Sequence, residues 1–164
     1  HILKEFIEIK MKKDIMKNYE KISNKLNELL IKNYDAEQGY IKAMQNVDNG
    51  KLKTFFTERS EDRGRFASQI RTQILTFGET PKESGSFTGT MHKNWMDFKT
   101  LFTSIDEKVI LEEILRGEKA SLEDYNEIIS ETDIPENIKT VLVSHRNSIK
   151  NVINNVPKLE EAVA

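Results

Sequence analysis

The chain has 164 residues without a cysteine, which excludes disulfides, thiolate metal ligands and a cysteine nucleophile. Its 25 basic and 27 acidic residues give a formal net charge of −2. The two signs are mixed along the chain, and this argues against a nucleic-acid-binding surface. No apolar run approaches the length of a membrane span, so we expect a single cytoplasmic domain.

The first half of the chain predicts two long helices. Apolar residues at helical spacing indicate a first helix from Tyr19 to Asn46. Residues 1–18 precede it as an extension whose structure the pattern leaves open. A short turn follows, in which Asp48 is a plausible N-cap. The second helix is predicted from Lys51 to Phe77, and Gly78 supplies a stop signal.

The second half predicts a long connection and two more helices. A structureless loop over 78–104 is improbable inside a domain, and apolar residues at helical spacing predict a short amphipathic helix over 88–102. Ser104 opens a capping-box pattern for a third helix that ends near Ile129. A fourth helix is predicted from the Asp133–Glu136 region to Asn155. Pro157 should end it, leaving 157–164 as a frayed tail.

These connection lengths predict an all-α fold. Short turns make each helix pair antiparallel, whereas the long connection between the second and third helices has enough chain to run the length of a bundle. This is the ferritin-like variant of the four-helix bundle, with a long B–C crossover containing a short amphipathic helix. We assign residues 19–156 to it.

Several polar residues interrupt the apolar stripes at similar distances from the hairpin turns. Burial of such groups is costly unless they are paired, hydrogen-bonded or bound to an ion, so they mark a candidate site. The residues are Glu37, Arg59, Asp62, Arg63, Glu118 and His145.

One interpretation is a metal site in which Glu37, Asp62, Glu118 and His145 hold one divalent ion such as iron, manganese or zinc. A complete di-iron centre needs two Glu-x-x-His motifs. Leu142 replaces the glutamate before His145, and the second helix has no histidine.

The other interpretation, which we favour, is a structural network of Glu37, Arg59, Arg63 and Glu118 without a cofactor. Arg59 or Arg63 would supply the positive charge that a metal would otherwise bring. A cation beside a metal site would repel the ion. No arrangement of serine, histidine and acid indicates nucleophilic catalysis. The sequence therefore favours a protein that is not an enzyme.

The chain also resembles a bacterial family, domain of unknown function 2383, whose members look like ferritin-like four-helix bundles. The resemblance is strongest in Gly89–Lys99 and in Leu111-Glu112, Arg116-Gly117-Glu118 and Tyr125. It extends more loosely to Glu37–Tyr40 and to Asp62-Arg63 with Phe66. It implies the fold without a biochemical role.

We therefore expect a non-catalytic bundle that acts by self-association or by binding a protein partner. The alternative is a metal-binding, stress-related protein with a reduced carboxylate and histidine site.

Overall fold

A computed structural model describes residues 1–82 and 106–163 of the chain. These residues form four helices: α1 Ile2–Gln45, α2 Gly50–Thr76, α3 Glu107–Ile129 and α4 Glu136–Val163. The predicted all-α fold is confirmed. The short crossover helix predicted over 88–102 lies outside the described residues. In the part that is described, no helix combines the length and apolar character needed to cross a membrane.

Two helix ends differ from the predictions. Helix α1 begins at Ile2, so residues 2–18 continue the first helix instead of forming a separate extension. Helix α4 continues through Pro157 to Val163, and the prediction that Pro157 ends it was wrong. Leu159 and Val163 pack against the apolar core beyond the proline, and this packing offsets the backbone hydrogen bond that proline cannot donate.

The helix caps also differ in detail from those predicted. The side chain of Asn49, not of Asp48, accepts hydrogen bonds from the backbone amides of Lys51 and Leu52 at 2.9 and 3.2 Å. Asp106 caps α3 by accepting from the amide of Lys108 at 3.1 Å. The predicted stop at Gly78 is confirmed by its φ of +75°, which a glycine adopts at little cost.

We expect Asn49→Ala to lower the free energy of unfolding by about 1 kcal/mol, because two amides of the first turn lose their acceptor. Asp48→Ala is the matched control and should change it by less than about 0.5 kcal/mol. Urea unfolding followed by circular dichroism measures both. An equal loss in the two variants would contradict the assignment of the cap to Asn49.

The helix directions follow from pairs of contacts along the bundle. Tyr19 contacts Phe77 while Tyr40 contacts Phe56, so α1 and α2 are antiparallel. Lys32 pairs with Asp124 while Tyr40 bonds Glu118, so α1 and α3 are antiparallel as well. Helices α2 and α3 therefore run in the same direction. This is the predicted crossover topology.

The core consists of two apolar clusters, one toward each end of the bundle. One is built around Leu26, Ile70 and Leu142, and the other around Phe56 and Leu111. The chain thus buries its apolar stripes in two separate groups. Asn33, Arg63, Glu118 and Ser121 lie between them along the helices, whereas His145 lies among residues of the cluster around Leu26.

Candidate functional site

Most of the buried polar side chains, together with the exposed Gln69, form one hydrogen-bonded group that draws on all four helices. We call this group the polar layer. It consists of Asn33 and Tyr40 from α1, Arg63 and Gln69 from α2, Glu118, Ser121 and Tyr125 from α3, and His145 from α4.

The Arg63–Glu118 ion pair is the charged centre of the polar layer. Arg63 Nη2 donates to Glu118 Oε2 at 2.9 Å and to Ser121 Oγ at 3.0 Å. The hydroxyl of Tyr40 donates to the other oxygen of Glu118. Arg63 and Glu118 are only 2% and 1% exposed. The carboxylate thus accepts hydrogen bonds on both oxygens, as a buried charge requires.

Burial and neighbouring charge shift the pKa of two groups at this centre. Burial raises the pKa of the Tyr40 hydroxyl well above its usual value, and the adjacent Glu118 raises it further. Burial lowers the pKa of Arg63, but Glu118 and the two tyrosines more than offset that effect, so the pKa is raised. Arg63 therefore keeps its charge, and the Tyr40 hydroxyl keeps its proton.

Asn33 joins the ion pair to the histidine side of the layer. Its Oδ1 accepts from Arg63 Nη1 at 3.0 Å, and its Nδ2 donates to the Tyr125 hydroxyl at 3.1 Å. The Tyr125 hydroxyl lies 2.9 Å from His145 Nδ1.

These contacts fix the tautomer of His145. Gln69 Oε1 lies 2.6 Å from Nε2 and can only accept, so the proton lies on Nε2 and Nδ1 accepts from the Tyr125 hydroxyl. The ring also stacks on Phe66 with the ring centroids 4.0 Å apart. Burial, together with the positive charges of Arg63 and Arg65, lowers the pKa of His145 to about 3. The imidazole is therefore neutral near pH 7.

Glu37 lies outside the polar layer. Its side chain is half-buried and passes over Gly64 of α2, where a Cβ would collide with Glu37 Oε2. Its Oε1 is 3.5 Å from the side-chain amide of Gln38. The structure does not bring Glu37 together with Arg63 and Glu118.

Arg59 and Asp62 also lie outside the polar layer. Arg59 pairs with Asp62 at 3.0 Å along the same helix and covers the ring of Phe55. Asp62 accepts in addition from Arg65 at 3.0 Å. Of the four residues predicted for a network, the structure pairs only Arg63 and Glu118.

The residues predicted as metal ligands do not fit a shared ion in this geometry. Asp62 faces two arginines, Glu118 is paired with Arg63, and both ring nitrogens of His145 have hydrogen-bond partners. In residues 1–82 and 106–163, no three histidine, aspartate or glutamate side chains lie close enough to hold an ion. Arg63 is buried in the bundle core, the part of the fold in which di-iron bundles build their metal sites.

Sequence reasoning missed the neutral members of the layer: Asn33, Gln69, Ser121, Tyr40 and Tyr125. The tyrosines fit an apolar stripe, so nothing in the stripe distinguishes a hydrogen-bonded hydroxyl from simple packing. Asn33 could have been predicted as a buried polar residue, because it falls on the apolar face of α1 between Leu30 and Tyr40.

Comparison with known structures defines the class of protein. A solved ferritin-like structure, the dodecameric thioferritin described as the bacterioferritin-related protein from Bacteroides fragilis, matches with a TM-score of 0.60. The match covers 88% of this chain and 90% of that chain at 16% sequence identity, so it supports the fold alone. This protein is a ferritin-like four-helix bundle.

The particular family follows from the sequence. The profile of the domain of unknown function family DUF2383 matches residues 21–131. The chain belongs to this family, and the predicted resemblance is confirmed. No curated protein matches the chain.

Proposed function

We propose that this protein is a non-catalytic ferritin-like bundle that acts by associating with other protein chains, including copies of itself. The observation that carries the proposal is the polar layer, in which the Arg63–Glu118 pair and neutral hydrogen-bonding groups fill the middle of the bundle. In the layer, the Tyr125 hydroxyl lies beside His145, but burial raises the pKa of that hydroxyl above its usual value, so it keeps its proton. Its one imidazole is directed at Tyr125 and Gln69.

The charge balance of the layer supports this interpretation. Arg63 keeps its positive charge at all accessible pH values, and Glu118 supplies one compensating negative charge. A divalent ion placed there would add two positive charges beside a guanidinium that cannot lose its own. The cost of that repulsion in a buried site is large. The layer therefore suits a structural role, in which it fixes the alignment of the four helices.

The surface supports a role in association. Among the described residues, ten large hydrophobic side chains are exposed, and nine of them belong to the first 19 residues. Exposed apolar groups concentrated in one region mark interaction sites. The thioferritin that this chain resembles in fold is a dodecamer, so at least one bundle of this fold assembles into an oligomer.

Elemental analysis and mass measurement of the freshly purified full chain test the proposal. We expect less than about one tenth of an equivalent of iron, manganese or zinc, and a mass of at least two chains at micromolar concentration. Excess Fe²⁺, Mn²⁺ or Zn²⁺ should leave the unfolding midpoint unchanged, since an ion that binds only the folded state raises it. Stoichiometric metal that disappears in Glu118→Ala would overturn the structural interpretation. A monomer at high concentration would overturn the association.

A further inference from the structure

Helix α1 extends beyond the end of α2. Tyr19 contacts Phe77, which follows the last residue of α2, and every residue from His1 to Lys21 is exposed. We call residues 2–19 the projecting helix. It spans about 27 Å at 1.5 Å per residue. Large apolar side chains that are exposed over such a length mark an interaction surface.

The inner half of the projecting helix, residues 10–19, has its apolar face on the bundle side of α1. We use this term for the side on which Ile22 and Leu26 enter the core. At about 100° per residue, Met11, Ile15 and Tyr19 lie within about 40° of that direction. These three side chains are nevertheless 45–58% exposed. The apolar stripe of the bundle therefore continues beyond the end of α2.

The outer half, residues 2–9, has its apolar face on the opposite side of α1, which we call the outward side. Four exposed side chains lie within about 60° of this direction: Ile2, Leu3, Phe6 and Ile9. Ile7 and Met16 lie at the borders between the two sides. A symmetric pair uses the same side of both copies. In an antiparallel pair of that kind, the apolar half of each side would face a charged half.

Charged residues complete both sides of the projecting helix. On the outward side, the inner half carries Lys10, Lys13 and Lys17. On the bundle side, the outer half carries Lys4 and Glu8, with Glu5 at the border. From its N-terminal end, the outward side is thus apolar and then basic, whereas the bundle side is net acidic and then apolar. The two sides become complementary when one helix is turned end to end.

We propose that the projecting helix joins copies of this chain through a heterologous contact, in which the outward side of one copy packs antiparallel on the bundle side of the next. The inference rests on the proposed function and names the surface, the partner and the orientation. In this register Phe6 faces Ile15 of the other copy, and Lys13 faces Glu8. Each copy keeps one side free after the first contact, so the contact can repeat beyond two chains.

The bundle itself favours the antiparallel orientation. A parallel pair with a stagger of nine residues would also bring Phe6 to Ile15. It would, however, place Lys13 and Lys17 of one copy at the level of Ile22 and Leu26 of the other, and the bundle side is buried there. The antiparallel contact ends at Tyr19, before the buried part of α1 begins.

Variants that alter one side each test the heterologous contact. Phe6→Glu changes the outward side and Ile15→Glu the bundle side, and Leu75→Glu is the control on an exposed apolar residue of α2. In sedimentation velocity of the full chain, either variant alone should associate at least about tenfold more weakly than the wild type, because the contact would bury an unpaired charge. Leu75→Glu should associate normally. The unfolding midpoints should change little, since both side chains lie outside the core.

A mixture of the two variants gives the sharper result. The intact outward side of Ile15→Glu can contact the intact bundle side of Phe6→Glu, so the equimolar mixture should form a dimer. That dimer should not grow, because its two remaining sides both carry the added charge. A symmetric contact would give neither this restored dimer nor a loss of association in both variants.

Charge reversal tests the orientation. Glu8→Lys should weaken association about threefold by placing a lysine beside Lys13 of the next copy. Adding Lys13→Glu to the same chain should restore it, because the pair is then reversed. If the double variant is no better than Glu8→Lys, the antiparallel register is wrong.

The outcomes separate this inference from the proposed function. If the wild type associates and both Phe6→Glu and Ile15→Glu associate equally well, the inference fails but the association stands. If only one of them loses association, the contact is symmetric and the inference also fails. A monomeric wild type overturns both. If such a monomer binds phosphatidylcholine–phosphatidylserine vesicles, the outward side serves a membrane surface. Restoration of a dimer in the mixture supports both.

Discussion

Glu118→Gln is expected to lower the free energy of unfolding by about 3 kcal/mol or more, because it leaves a buried cation without its counter-charge. Arg63 is 2% exposed and cannot lose its proton to relieve the cost. Glutamine keeps nearly the same shape and can still accept a hydrogen bond, so the loss measures the charge and not a cavity. A loss of this size is a large part of the 5–15 kcal/mol that stabilises a typical domain.

The chain offers a matched control for this substitution. Glu37→Gln makes the same chemical change on a glutamate outside the polar layer and should alter stability by less than about 0.5 kcal/mol. The double variant Arg63→Met with Glu118→Leu should recover most of the loss, since it removes both charges together. Urea denaturation at pH 7 measures all three variants. If Glu118→Gln falls within 1 kcal/mol of the wild type, the ion pair is not the charged centre of the core.

The stability of the protein should fall as the pH drops from 7.5 to 5.5, and His145 should account for about 1.4 kcal/mol of the loss. Its pKa is about 3 in the folded chain and near 6.5 in the unfolded chain. The folded protein therefore keeps the imidazole neutral while the unfolded chain binds a proton. The contribution is fully present above pH 6.5 and decreases toward pH 3.

Comparison of variants isolates this contribution from that of the carboxylates. His145→Gln should be less stable than the wild type at pH 7.5, and the difference should shrink by about 1.4 kcal/mol at pH 5.5. His1→Gln replaces an exposed histidine and should follow the pH dependence of the wild type. Equilibrium unfolding at the two pH values gives the result. An unchanged difference between His145→Gln and the wild type would mean that the folded protein does not hold this imidazole neutral.

The fold could be predicted because its signals are redundant. Apolar periodicity placed the four helices, Gly78 marked one end of α2, and the length of the chain between Thr76 and Glu107 required the crossover. The errors fell at positions where tertiary contacts outweigh local preference. Pro157 is the clearest case, because packing of Leu159 and Val163 continues α4 beyond a residue that ordinarily ends a helix.

The candidate site was predicted only in part, for a geometric reason. Counting residues from a turn gives the height of a side chain along the bundle but not its direction to within a few tens of degrees. Arg63 and Glu118 point at each other, whereas Glu37, at a similar height, passes over Gly64. The pattern of interrupted stripes therefore identified both members of the ion pair. It also assigned Glu37 and Arg59 to the same group, because it cannot distinguish a side chain that points into the core from one that does not.

Helix α1 runs from Ile2 to Gln45 as one element, and its last 24 residues, Ile22–Gln45, belong to the bundle. Each added or deleted residue at the junction near Tyr19 would turn the outer part by about 100° relative to the core. The rotational phase of the exposed side chains is therefore set by the packing of the bundle itself. A partner that bound these side chains would be held at a fixed angle to the four-helix bundle, because one continuous helix joins them.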